Sequence, residues 1–218
     1  MIRRLLRYAL AFDVAIGFLV LGLIISARME KRALNFTTKV AAGAQKLFAV
    51  GRREEARGAL EEALQVSPNN PIVRRELAMQ LAASGQPEAA AQQLRLVLTA
   101  SPRDAGAARK LAEMLQQLGD AQGAAASLRR ACELEAENGM NYIALASVLL
   151  ELGDLAGARA AAERGTGLAP RVPQAHIVLG LIADRRGDQA AAQASFSRAK
   201  RLDPASATLS RSLSLPGN

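Results

Sequence analysis

Apolar residues recur along most of the chain at helical spacing, and the pattern of apolar and polar positions repeats every 34 residues. Each period contains an apolar-periodic half, a glycine and a second apolar-periodic half. The glycines are Gly51, Gly85, Gly119, Gly153 and Gly187. A proline follows the second half at Pro68, Pro102, Pro170 and Pro204, and Ala136 takes the remaining slot. Self-similarity at a fixed period of this length indicates a repeat protein.

With Thr37 as position 1, the repeats are Thr37–Asn70, Pro71–Asp104, Ala105–Asn138, Gly139–Val172 and Pro173–Ser206. Glycine at position 15 tolerates the positive φ of a tight turn after a helix. Proline at position 32 cannot continue a helix, so the second helix must end before it. Each repeat is therefore predicted to be a hairpin of two antiparallel helices of about 14 residues.

Small residues at two positions of every repeat predict that the helices of a hairpin approach closely. Position 8 is Ala44, Ala78, Ala112, Ala146 and Gly180, and position 20 is Ala56, Ala90, Ala124, Ala158 and Ala192. Larger apolar residues surround them, among them Leu60, Leu94, Leu128 and Phe196 at position 24. One hairpin cannot bury its apolar face alone, so the repeats are expected to stack.

This arrangement resembles the tetratricopeptide repeat (TPR) family over Thr37–Ser206. The resemblance implies an all-α fold, a right-handed superhelical solenoid of helix hairpins. The chain departs from the family at position 4, often Trp, where it has Val40, Arg74, Ala108, Tyr142 and His176. It departs again at position 11, often Tyr, where it has Leu47, Leu81, Leu115, Leu149 and Ala183.

The resemblance also implies a groove that binds a partner peptide or helix through positions 2, 5, 9 and 12 of the first helices. The predicted partner-binding residues are Arg75, Met79, Arg109, Glu113, Met140, Ile143, Leu150, Ile177 and Leu181. The alternative is that the apolar members pack inside the protein. A carboxylate clamp for a chaperone C-terminus is not predicted, because the matching positions hold Ala41, Gln45 and Glu76.

The N-terminal segment differs from the repeats. Residues 1–7 are basic, and Tyr8–Ala27 is apolar with one charge, Asp13. About 20 apolar residues can span a bilayer, so this stretch is predicted to be a retained transmembrane helix, followed by a juxtamembrane linker at 28–36. The alternative is a cleavable secretory signal, which usually has a shorter apolar region.

The distribution of charge indicates an orientation in a membrane rather than binding to nucleic acid. The net charge is +8, but residues 1–36 contain six Lys or Arg against two acids, while the repeats contain 21 against 18. The basic N-terminal flank favours a single-pass protein of the inner membrane, with its N-terminus inside and its repeats in the periplasm. No nucleic-acid partner is expected.

Asp13 shares one predicted helix face with Ala9 and Gly17. An acid in a membrane helix normally faces protein or water, so this face is predicted to contact a second membrane helix. The alternative is that Asp13 lies near the interface and reaches water.

The sequence contains few side chains of the kinds that catalyse reactions or bind metals. It contains one histidine, His176, one cysteine, Cys132, and no catalytic or phosphate-loop motif. No enzyme activity, cofactor, metal or small-molecule substrate is predicted. Gly165–Thr166–Gly167, within a second helix, is interpreted as close packing or fraying, with a hinge as the alternative. Residues 207–218 are predicted to form a capping tail.

The chain is therefore predicted to be a membrane-anchored TPR scaffold that assembles or stabilises subunits of a membrane-associated complex through protein–protein interaction. Two alternatives stay open. One is a constitutive accessory subunit held mainly by its transmembrane helix. The other is a secreted or periplasmic TPR binding module released by signal cleavage.

Overall fold

The computed structural model describes residues 26–29 and 31–204 of the chain, and every regular element in these ranges is helical. The first helix, α1, comprises residues 31–49 and follows a helical stretch at 26–29. The others are α2 (Arg53–Val66), α3 (Pro71–Ala83), α4 (Pro87–Ala100), α5 (Ala105–Gln117), α6 (Ala121–Leu134), α7 (Gly139–Glu151), α8 (Leu155–Leu168), α9 (Pro173–Arg185) and α10 (Gln189–Leu202). The predicted alternation of two helices per 34 residues is confirmed.

The described residues fall into two compact units. The N-terminal unit runs to Leu77 and contains α1, α2 and the start of α3. The C-terminal unit begins at Ala78 and contains the rest of α3 and helices α4 to α10. Within the C-terminal unit, helices pair as α5–α6, α7–α8 and α9–α10, and each pair packs on its neighbour in the chain. These are the helix hairpins that the repeat predicts.

The glycine at position 15 makes the turn between the two helices of each repeat. All five of these glycines have a positive φ, between 72° and 84°. After the turn at Gly119, the Asp120 N–H donates to the Leu115 carbonyl at 2.8 Å, which closes the helix end as in a Schellman motif. The predicted role of this glycine is confirmed.

Aspartate begins the second helix of the last three repeats. Asp120, Asp154 and Asp188 each accept a hydrogen bond from the N–H three residues later, at 2.8–3.0 Å. Such a cap satisfies one of the N–H groups that a helix start leaves unpaired. The first two repeats have Arg52 and Gln86 at this point, and neither side chain makes a capping bond.

Small and large side chains are matched across the hairpins of the first three repeats. The alanines at positions 8 and 20 are buried throughout, as are Leu60, Leu94 and Leu128 at position 24. The fifth repeat reverses the sizes, because Gly180 faces Phe196. A Cβ added at Gly180 would lie 2.4 Å from Phe196 Cε1, so the ring occupies the space that alanine fills elsewhere.

Gly165 allows α7 and α8 to approach closely. A Cβ at this position would lie 2.8 Å from Ile143 Cγ1 and 3.1 Å from the Gly139 carbonyl oxygen. Contacts this short exclude any larger residue without movement of the helices. The structure thus supports close packing for Gly165, but it does not explain Gly167, where an added Cβ would meet nothing within 4 Å.

The start of the first repeat differs from expectation. Asn35, Thr37 and Thr38 are residue types that commonly cap helix N-termini, but here they lie inside α1. The Thr37 hydroxyl donates to the Ala33 carbonyl at 2.9 Å and accepts from Asn70 Nδ2 at 2.7 Å. Residues 31–36 of the predicted linker are therefore part of a helix.

Several predictions concern residues that the structure does not describe. Residues 8–25 of the predicted transmembrane helix lie outside the described ranges, as do Ala9, Asp13 and Gly17. The predicted capping tail at 207–218 lies outside them too. Among the helices described, none is both long enough and apolar enough to cross a membrane.

Candidate partner-binding surface

The first helices place the predicted partner-binding residues in three kinds of environment. Met79 and Met140 are exposed, at 47% and 48%, and Arg75 is exposed as well. Arg109, Glu113 and Leu181 are half-buried, whereas Ile143, Leu150 and Ile177 are buried.

The burial of Ile143, Leu150 and Ile177 corrects the predicted groove and corresponds to the alternative of internal packing. Ile143 is covered because Gly165 brings α8 close to α7. Leu150 and Ile177 lie on α7 and α9, two first helices that contact each other directly. These three residues are therefore not part of the candidate surface.

A cluster of charges lies on α5. The Glu113 carboxylate contacts Arg109 Nη1 at 3.2 Å and Lys110 Nζ at 2.7 Å, and all three side chains are about two-fifths exposed. Exposed ion pairs of this kind contribute only about 0–1 kcal/mol to stability. The cluster carries one net positive charge. Lys110 is at position 6, so it lies outside the predicted set of positions 2, 5, 9 and 12.

An apolar crevice adjoins this cluster. Its lining includes Met79 and Ala82 of α3 and Lys110 and Met114 of α5. Methionine is flexible and polarisable, so it adapts to different apolar partners. We call the exposed or half-buried residues Met79, Ala82, Arg109, Lys110 and Glu113 the α3–α5 surface; all lie in the C-terminal unit.

The positions that would form a carboxylate clamp hold a different pair. Gln45 Nε2 donates to Glu76 Oε2 at 2.6 Å, and Glu76 is only 6% exposed. A carboxylate at this point repels a second carboxylate. The geometry therefore disfavours capture of a peptide C-terminus by this pair in the N-terminal unit.

The departures at position 4 have a structural explanation in two repeats. Arg74 Nε donates to the Pro68 carbonyl at 2.8 Å, and His176 Nε2 lies 3.0 Å from the Pro170 carbonyl. Both carbonyls belong to the proline at position 32 of the preceding repeat. These side chains thus bond to the turn between repeats, where the family often packs a tryptophan ring. This contact gives His176 a structural role.

Cys132 is buried, and burial raises the pKa of its thiol to about 11. The thiolate is the reactive form of cysteine, so this residue is a poor nucleophile or metal ligand. Within the described ranges, no three His, Cys, Asp or Glu side chains are grouped so that they could bind a metal ion.

A separate cavity of about 260 Å³ lies among α8, α9 and α10. Its charged lining residues are two cations, Arg159 and Arg186, and two anions, Glu163 and Asp188. Arg159 Nε already contacts Glu163 Oε1 at 2.6 Å. The balanced charges select no ligand class, so the α3–α5 surface is the better candidate.

Comparison with known proteins agrees with this architecture. Two family models described as tetratricopeptide repeat match residues 47–115 and 143–207, which together make up more than half of the chain. No curated protein sequence matches.

Several solved structures are similar. A crystal structure of MamA is 23% identical, with a TM-score of 0.70 over 76% of this chain and 96% of that one. MamA from Desulfovibrio magneticus RS-1, residues 41 to the end, is 20% identical, with a TM-score of 0.71 over 78% and 96%. YrrB, described as a TPR protein with an unusual peptide-binding site, is 18% identical, with a TM-score of 0.70 over 79% and 89%. At these identities the likeness shows the fold alone.

Proposed function

Because the chain belongs to the tetratricopeptide repeat family, we propose that it is a protein-binding scaffold that recognises a segment of a partner protein through the α3–α5 surface. The observation that carries this proposal is the exposed Met79 side chain beside a half-exposed cluster with net positive charge. Exposed apolar groups next to polar ones are typical of protein-interaction sites. The peptide-binding site named for YrrB supports the same class of partner.

The chemistry of the surface indicates what the partner segment contains. An apolar side chain would pack on Met79 and Ala82, and an acidic side chain would pair with Arg109 or Lys110. Glu113 lies between these two cations. It would repel an acid placed directly over it, so the partner's acid is expected at the edge of the cluster. Binding without catalysis is the activity we propose.

The proposal places the scaffold at a membrane as a single-pass protein, with Tyr8–Ala27 as its anchor, its N-terminus inside and its repeats in the periplasm. The support is the length of this apolar stretch and the basic residues before it. The partners would be subunits of a membrane-associated complex. A constitutive subunit held by the anchor is the second candidate, and the predicted face of Ala9, Asp13 and Gly17 favours it.

Paired variants test the surface after a partner has been captured by native co-purification in mild detergent. The variant Met79→Ala with Lys110→Glu removes the apolar contact and reverses one charge. The matched control, Leu96→Ala with Arg95→Glu, makes the same changes at exposed residues of α4. We expect the first pair to weaken binding about tenfold or more and the control to leave it unchanged. Equal binding by both pairs, with unchanged circular dichroism, would refute the assignment.

A further inference from the structure

Exposed apolar side chains of the N-terminal unit gather where α1 begins. Met29, Leu34 and Val66 are 61%, 51% and 58% exposed. They line an open cavity of about 950 Å³, which we call the notch. Its other lining residues are Ala27, Lys31, Ala33, Ser67, Pro68, Asn69, Asn70 and Pro71.

The notch exists because the N-terminal helical stretch reaches past the loop between α2 and α3. The hydrogen bond from Asn70 Nδ2 to Thr37 Oγ1, 2.7 Å long, holds that loop beside Thr37. Ala27 precedes Thr37 by ten residues, which corresponds to about 15 Å along a helix. The notch is the space beside this overhang.

The charges around the notch favour an anionic surface. Arg28, Lys31 and Arg32 are exposed on the overhang, and Glu30 is the one acid among residues 28–32. The loop residues Ser67–Pro71 carry no charge. A combination of apolar side chains with lysine and arginine is typical of surfaces that lie in the interfacial layer of a membrane.

We propose that phospholipid headgroups and the upper parts of their acyl chains occupy the notch, so that Leu34 and Val66 dock the N-terminal unit on the bilayer. This inference rests on the proposed membrane anchor, since the apolar segment Tyr8–Ala27 ends where the notch begins. A headgroup layer is roughly 5–8 Å thick. The overhang of about 15 Å is about twice as long as this layer is thick, so in this proposal the overhang lies inclined within the layer, which brings Leu34 and the α2–α3 loop to the headgroups together.

A fluorescence-quenching experiment on the full chain tests the inference. Val66→Cys is labelled with an environment-sensitive fluorophore in a Cys132→Ala background and reconstituted into vesicles of phosphatidylcholine and phosphatidylglycerol. The quencher is a lipid with a spin label on its headgroup, present in both leaflets. Val50→Cys is the matched control, because Val50 is also an exposed valine and lies 16 residues beyond Leu34, about 24 Å along the helix. Leu34→Cys provides an independent second site.

We expect strong loss of fluorescence at Val66 and Leu34, and no loss at Val50. Flotation of the same vesicles separates the two proposals. Protein that does not float with the vesicles would refute the anchor and this inference with it. Protein that floats while Val66 behaves like Val50 would refute the docking alone. The Val66 fluorophore could instead report an apolar environment without being quenched by the headgroup label. That result would mean that a protein segment occupies the notch, and it would also overturn the inference.

Discussion

The pairing of Gly180 with Phe196 makes a quantitative prediction about how the last hairpin packs. Gly180→Ala adds a Cβ that would lie 2.4, 2.6 and 2.9 Å from three atoms of the Phe196 ring. Ordinary contacts of this kind are about 3.5–4.0 Å, so the ring or the helix must move. Overpacking of this kind costs about 1–3 kcal/mol, while alanine gains about 1 kcal/mol over glycine in a helix.

Phe196→Leu should relieve that clash, because the first three repeats combine alanine at position 8 with leucine at position 24. Alone, Phe196→Leu loses ring contacts and is expected to cost about 1–2 kcal/mol. Together with Gly180→Ala it restores the Ala–Leu pair. The double variant should therefore be more stable than the sum of the single changes by about 1–3 kcal/mol, the cost of the removed clash.

The assay is urea unfolding of the wild type and the three variants in one buffer, followed by far-UV circular dichroism, since the chain contains no tryptophan. The curves are fitted jointly, because repeat arrays can unfold in more than one step. Gly58→Ala in α2 is the control. An added Cβ there meets nothing within 4 Å, so it should stabilise by about 0.5–1 kcal/mol. A coupling energy below about 0.5 kcal/mol would show that Gly180 is not required by the Phe196 ring.

Three further predictions follow from single sites. Gly153→Ala should destabilise by about 1–2 kcal/mol in the same assay, because alanine is strained at the φ of 79° that this turn requires; a neutral result would contradict the turn argument. Asp120→Ala should cost about 1 kcal/mol through loss of the 2.8 Å cap to the Gly123 N–H, and an unchanged midpoint would show that the cap contributes nothing. Cys132 should resist a thiol reagent at pH 8 until urea unfolds the protein, because burial raises its pKa to about 11; rapid labelling of the folded chain would show that the site opens.

The hairpins could be predicted from the sequence because two residue types with strong backbone preferences follow every helix from α1 to α10 except α6, where Ala136 replaces the proline. Glycine at position 15 and proline at position 32 place the helices at positions 1–13 and 17–30, from Pro71–Ala83 through Gln189–Leu202. The aspartate caps could be predicted from the sequence too. Asp120, Asp154 and Asp188 directly precede a helix, which is a standard N-terminal signal.

The candidate surface could be predicted only in part, because a first helix packs on more than one neighbour. Periodicity alone does not distinguish a groove from a second buried face. One signal was present, since α7 is apolar nearly all round, and such a helix is usually buried. Ile143 is buried because Gly165 leaves space for it, and Lys110 belongs to the α3–α5 surface because its side chain lies close to Glu113. The spacing of residues along the sequence does not reveal either contact.

Photo-crosslinking from Met79 determines whether a partner protein binds at the α3–α5 surface. A photoreactive amino acid replaces Met79 on the α3–α5 surface or, as the control, Leu96 on α4; these residues are 47% and 39% exposed. Both proteins are irradiated in intact membranes and analysed by mass spectrometry. Partner binding at the α3–α5 surface predicts a protein adduct from position 79 that is missing from position 96 and that disappears when Lys110→Glu is added. Partner protein that co-purifies without any adduct at position 79, or with equal adducts at both positions, would contradict it.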